Sequence, residues 1–172
     1  MITGVGTPAE PLEPLMTKQL AGLILYDHKN RFLLQHRTDD APTFPGCWSF
    51  FGGEVEKDET PEQAVNREAL EELSYSLNDP RFWASQRFTY GEINYVSYLF
   101  LDRYDGSELV LGEGQGMGWF LPAEAKGLPM STLGRQVFGE LQQLLIETNR
   151  LKTSLECILS ATSKQGVTAP RS

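Results

Sequence analysis

Cysteine is scarce in this chain of 172 residues, where Cys47 and Cys157 are the only two. They lie far apart and form neither a metal-type cluster nor a disulfide framework. The expected setting is a reducing cytosol, hence a cytoplasmic protein. Long apolar runs are also missing, and none approaches the roughly 20 residues that a membrane span needs. The N-terminus, MITGVGTPAEPLEPLMT, has neither a basic n-region nor an apolar h-region, so no secretory signal is expected. Positive charge is in deficit. Fifteen Lys and Arg face 23 Asp and Glu, for a formal net charge of −8. That balance argues against a broad basic surface for duplex nucleic acid, though one small basic groove is compatible with it.

What is present is a globular composition, 40% apolar and 22% charged. The length suits one domain with a sizeable core. Pro8, Pro11 and Pro14 mark residues 1–17 as a loose N-terminal arm. A single domain is expected over 18–160, followed by a tail over 161–172. Two β-rich runs, Leu20–Tyr26 and Arg31–Arg37, flank turn residues and predict a hairpin. Trp48–Phe51 reads as a short strand ending at Gly52-Gly53. Thr60, Pro61 and Gln63 form a capping-box start for a helix over about 61–74. Further strands are predicted near 83–90, 93–103 and 119–120. The apolar spacing from Leu133 to Leu145 predicts a second helix. The stripe Leu151, Leu155, Ile158 and Leu159 extends it or forms a third. These last segments either support a homodimer or close the core.

The chemistry concentrates in GEVEKDETPEQAVNREALEELSY, residues 53–75. Eight acidic and two basic side chains there carry −6 of the −8. At about 100° per residue, Glu68, Glu71 and Glu72 share an arc of about 100° on one side of the helix. Val65, Ala69 and Leu73 form the apolar stripe beside them. Like charges at these spacings cost roughly 0.2–0.5 kcal/mol per pair, and more when buried. A hard divalent cation such as Mg²⁺ or Mn²⁺ would remove the conflict. A solvated acidic face is the other reading of the same charges.

The spacing is G-x5-E-x7-R-E-x-x-E-E, with Gly53, Glu59, Arg67, Glu68, Glu71 and Glu72 at the fixed places. A chance match is on the order of 10⁻⁵ at average residue usage. The stretch resembles the Nudix box, and TPEQAV before Arg67-Glu68 resembles the MutT-type members. FLLQHR and FPGCWSFFGG upstream, and Glu113-Gly114-Gln115 with Trp119 downstream, resemble the flanks of that family. Two positions depart from the pattern: Ala69 replaces a bulky aliphatic residue, and Ser74 replaces the glycine that ends the helix.

The resemblance implies an α/β fold, a Nudix-type α/β/α sandwich with a mixed sheet. It implies Mg²⁺- or Mn²⁺-dependent hydrolysis of the diphosphate linkage in a small-molecule nucleotide. A nucleoside triphosphate, in ordinary or oxidised form, is the leading substrate, giving monophosphate and pyrophosphate. Nucleotide sugars, dinucleoside polyphosphates and a non-catalytic sensor domain are the alternatives. By position, Glu68, Glu71 and Glu72 become metal ligands, with the Gly52 carbonyl a further one. Glu68 or Glu113 becomes the base, Arg67 orients the glutamates, and Gly53 and Glu59 shape the loop. Arg37, Trp48 and Phe50 are the candidates for substrate contact. Ser49, Phe50 and Phe51 follow Trp48 where the related isopentenyl diphosphate isomerases need a cysteine, so isomerisation is not expected.

Overall fold

The structure is a computed structural model that describes residues 16–164. Seven strands form one sheet: β1 (Thr17–Tyr26), β2 (Phe32–His36), β3 (Trp48–Ser49), β4 (Phe51–Glu54), β5 (Arg81–Tyr90), β6 (Ile93–Arg103) and β7 (Gly116–Phe120). Three helices accompany it: α1 (Pro61–Leu73), α2 (Pro122–Ala125) and α3 (Thr132–Lys164). The arm expected over residues 1–17 falls mostly outside the described residues, and Thr17 already belongs to β1. At the other end α3 runs to Lys164, into the expected tail.

β1 is the seam of the sheet. One edge pairs in parallel with β6 along its whole length, from Thr17 opposite Asn94 to Tyr26 opposite Arg103. The other edge is divided. β4 takes Leu20 to Leu23, antiparallel, while β2 meets β1 at Tyr26 opposite Phe32. The expected hairpin therefore exists only at its turn end. It splays open because β4 occupies the edge that β2 would need, and β2 pairs with β7 and β3 instead.

The pleat sorts the core into two layers, because successive strand residues point to opposite faces. Leu23, Leu25, Leu33 and Phe100 pack with Val65, Ala69 and Leu73 of α1. Ile24, Phe32, Leu34 and Leu99 pack with Val137, Phe138 and Leu141 of α3. The molecule is thus the α/β/α sandwich that the resemblance implied. Each fully buried aliphatic side chain contributes about 1.5–3 kcal/mol relative to exposure.

α1 starts as its sequence requires. The Thr60 hydroxyl accepts from the Gln63 N–H at 3.2 Å, and the Gln63 side chain accepts from the Thr60 N–H at 2.8 Å. At its end Ser74 adopts the left-handed conformation, φ 50°, ψ 34°. Serine thus does the job usually given to glycine, at a small steric cost. Val137, Phe138 and Leu141 in the first turns of α3 pack on the sheet. Leu144, Ile146 and Leu151 are exposed.

Candidate active site

The box folds around Arg67. Its Nε and one Nη grip the two Glu59 oxygens at 3.0 and 3.1 Å. The other Nη donates to Glu68 at 2.8 Å and to Glu71 at 3.1 Å. The Glu54 carbonyl takes the remaining bond at 3.0 Å. A guanidinium has five N–H donors, so every one is committed within the protein. Arg67 ties the loop to the helix and bonds three glutamates, Glu59, Glu68 and Glu71. It has no donor left for a phosphate. This contact holds the Glu59 carboxyl below its usual range and pushes the guanidinium further toward permanent charge.

Two glycines are demanded by close approach. A Cβ on Gly53 would lie 2.2 Å from a Glu68 carboxylate oxygen. A Cβ on Gly52 would lie 2.0 Å from the Ala21 carbonyl oxygen, and its φ of 127° is one that side chains rarely adopt. With no side chain in the way, the Gly52 N–H reaches Glu72 and donates at 2.7 Å. Gly52 thus meets the carboxylate group through its N–H.

Glu72 is buried, with 4% of its surface exposed. Burial pushes its carboxyl up to about 7; the Gly52 bond opposes this, and the charges of Glu68 and Glu113 add to it. Burial also raises Glu68, against the pull of Arg67 and with a push from Glu71 and Glu113. Glu71 is more open, with 59% of its side chain exposed. Glu113 reaches the group on a loop docked to the end of α1. Gly112 N–H donates to the Glu72 carbonyl at 2.7 Å and Val110 N–H to the Leu73 carbonyl at 2.9 Å. A Cβ on Gly112 would lie 2.3 Å from the Glu71 carbonyl oxygen, so that docking needs a glycine.

One participant was not anticipated. Gln35 on β2 is buried, and its amide donates to the Glu72 carboxylate at 3.2 Å and to the Glu113 carbonyl at 3.1 Å. It joins the box helix to the Glu113 loop. The available signal was a lone amide within the apolar strand FLLQH.

The donor chemistry suits a hard cation. Three carboxylates, two of them raised by burial and by neighbouring carboxylate charge, are oxygen ligands of the kind Mg²⁺ prefers. Among the described residues no three His, Cys, Asp or Glu side chains make a ready metal cage. Arg67 holds Glu68 and Glu71 on one side, while Gly52 and Gln35 hold Glu72 on the other. Mg²⁺ ordinarily combines one or two carboxylates with water and substrate phosphates, so an all-protein cage is not required.

A family model described as the NUDIX domain matches residues 16–140. The chain belongs to the Nudix family. A CTP pyrophosphohydrolase of Escherichia coli is 36% identical over 87 residues, covering 50% of this chain and 64% of that protein. The NAD-capped RNA hydrolase NudC of Chromobacterium violaceum is 34% identical over 88 residues, covering 50% of this chain and 32% of that protein. The chain thus spans less than two thirds of either relative. A solved MutT protein from Methanosarcina mazei shares the fold, with a TM-score of 0.69 and 23% identity over 77% of this chain and 97% of that one.

Outside the Nudix box the structure gives the expected substrate contacts other partners. Arg37 donates from Nε to the Thr43 carbonyl at 2.8 Å and from Nη to the Thr43 hydroxyl at 3.3 Å. It holds the loop over residues 38–46. Trp48 stacks on His36, with centroids 4.8 Å apart, and meets Phe120 edge-on at 4.9 Å. Phe50 stacks on Phe138 of α3 at 5.0 Å. Both rings already pack against the fold. The loop over residues 38–46 also carries an outlier. Phe44 has φ 48°, in the left-handed region, where a bulky side chain costs of order 1–3 kcal/mol. It also precedes Pro45, which disfavours helical backbone before it.

Proposed function

We propose that this chain hydrolyses the diphosphate linkage of a nucleotide. The leading substrate is a nucleoside triphosphate, cut to monophosphate and pyrophosphate. The observation that carries this reading is the buried Glu72 carboxylate with the half-buried Glu68 and the Glu113 loop beside it, braced by Arg67 and Gln35. Such a cluster is unfavourable without a cation, and a polyphosphate is the substrate whose charge a cation would bridge. The relatives named pyrophosphohydrolase and hydrolase support the same reaction class.

Glu68, Glu71 and Glu72 would hold Mg²⁺ or Mn²⁺, with the Gly52 carbonyl available as a further oxygen. When bound, the ion would neutralise phosphate charge and make a bound water more acidic. The chain's own residues do the rest. Glu68 takes the proton of the attacking water, with Glu113 the alternative acceptor. A new oxygen–phosphorus bond forms as the bridging phosphorus–oxygen bond breaks, and pyrophosphate carries away that bond's electron pair. Arg67 keeps Glu68 and Glu71 aimed, and Gln35 keeps Glu72 and the Glu113 loop in register.

The test is hydrolysis of a broad nucleotide panel with each metal, read by product identity. Monophosphate plus pyrophosphate is the expected result. Nucleotide sugars or dinucleoside polyphosphates cleaved in preference would move the substrate class while keeping the chemistry. Tight nucleotide binding with no product would make the domain a sensor.

A further inference from the structure

The carboxylate site deals with phosphates and leaves the base of a nucleotide to be recognised elsewhere. The opposite face of the sheet offers the groups for it. Gln86, Phe88 and Tyr90 alternate along β5, opposite Ser97, Tyr95 and Ile93 of β6. Ser97 and Tyr95 share the face of Leu99, which packs toward α3. Phe88 stacks on Tyr95, centroids 4.9 Å apart and planes at 10°. The strained Phe44 leans over this platform, 4.6 Å from Tyr90 and 6.2 Å from Phe88. One step along the same face, about 7 Å away, Gln86 lies 3.3 Å from the Glu140 carboxylate of α3. Gln136 also donates to Glu140, at 3.0 Å.

Rings with an amide and a carboxylate at their side suit a flat aromatic ligand that has a hydrogen-bonding edge. The nearest cation on this face, Lys18 opposite Tyr95, is already paired with Glu54 at 2.7 Å, so the face is not built around a phosphate. The platform is also close to the box. Leu20 of β1 pairs with Ser97 on one side and with Glu54 on the other, so two strand spacings, about 10 Å, separate the β6 side of the platform from the box loop, and three, about 14 Å, separate its β5 side. The loop bearing Phe44 is fastened to the loop of Glu113 as well. Gln115 donates to the Arg37 carbonyl at 2.8 Å and to Asp39 at 3.3 Å.

We infer that Phe44, backed by Tyr90, clamps the base of the bound nucleotide, and that Glu140 and Gln86 read its edge. This rests on the nucleotide reading above. A carboxylate only accepts hydrogen bonds, so Glu140 favours a base that presents amino or ring N–H groups. The strain at Phe44 has a use on this view: it turns the ring inward from a loop that would otherwise leave it in water.

The test uses the full chain and two probes. Without metal, calorimetry follows the binding of the adenosine, guanosine, cytidine and uridine monophosphates. With Mg²⁺, kinetics compares nucleoside triphosphates with ribose 5-triphosphate, which lacks a base. Phe44→Ala should weaken monophosphate binding about 10-fold. It should raise KM for the triphosphates by a similar factor, with kcat and ribose 5-triphosphate turnover unchanged. Phe44→Tyr should restore both, and Glu140→Gln should reorder the preference among bases. Wild-type affinity in Phe44→Ala, or equal loss on ribose 5-triphosphate, overturns the inference. So does a wild-type protein that binds none of the four monophosphates. If Phe44→Ala does not fold by circular dichroism, Tyr90→Ala gives the same reading from the other ring. A wild type that binds monophosphates through Phe44 yet hydrolyses nothing would sink the enzymatic reading and leave the clamp standing.

Discussion

The two faces of the sheet carry opposite kinds of polarity. Toward α1 lie formal charges, packed close and almost fully engaged: Arg67 spends all five donors, and Glu72 is buried between Gly52 and Gln35. Toward α3 lie rings and amides with the Glu140 carboxylate, only partly covered, and the Lys18–Glu54 pair at their edge. The α1 face is built to tolerate one arrangement only. On the α3 face Gln86 and Gln136 share the Glu140 carboxylate at 3.3 and 3.0 Å. In general, transition-state work needs fixed charge, whereas recognition works with stacking and exchangeable hydrogen bonds. Variants on the first face should therefore act on kcat, and variants on the second on KM.

The largest effect should come from Glu72→Gln. Activity should fall by at least about 100-fold, measured as pyrophosphate release. The same variant should unfold at a higher temperature than wild type in EDTA, because it removes a buried charge. Equal activity in the two proteins would break the division of labour. Gly53→Ala should be nearly as severe, since its Cβ would displace the Glu68 carboxylate. Next is Arg67→Lys. An ammonium has three donors and no fork, so at least two of the five contacts are lost. We expect a kcat loss of roughly 10- to 100-fold with KM little changed. A pure KM effect would show instead that Arg67 meets substrate.

A smaller effect sharpens the comparison through pH. In metal-free protein the Glu72 carboxyl sits at about 7, against an ordinary value near 4.5. Between those values the folded chain binds the extra proton, so stability falls as pH rises from about 4.5 to 7. The total loss should be about 3 kcal/mol. Denaturant melts in EDTA should show it, and Glu72→Gln should flatten it. The smallest change belongs to neither face. Ser74→Gly should stabilise by about 0.5–1 kcal/mol, because φ 50° is easier for glycine.

Local signals carried most of the fold. Capping residues set the start of α1, period-2 runs marked β1, β2, β5 and β6, and helical spacing marked α3. The opening of the β1–β2 hairpin was not legible, because it depends on competition from β4 for the same edge. The charged half of the site was legible because one helix and its loop supply nearly all of it. Gln35 was missed because a single amide in a strand has no spacing to betray it. Trp48 and Phe50 looked suited to stacking, and the sequence could not show that His36 and Phe138 would cover them. Phe44 drew no notice, since its backbone conformation depends on the loop that Arg37 and Gln115 hold in place.

That loop has a consequence for timing. It is fastened at one end by Arg37 on Thr43 and fixed through Asp39 and the Arg37 carbonyl to Gln115, two residues from Glu113. A strap held in this way cannot lift over Phe44 without pulling on the segment that carries Glu113. On the proposed reading, escape of product from the ring side and relaxation of the glutamate loop would form a single step. The rate of that step would set the pace of turnover once the bond has broken.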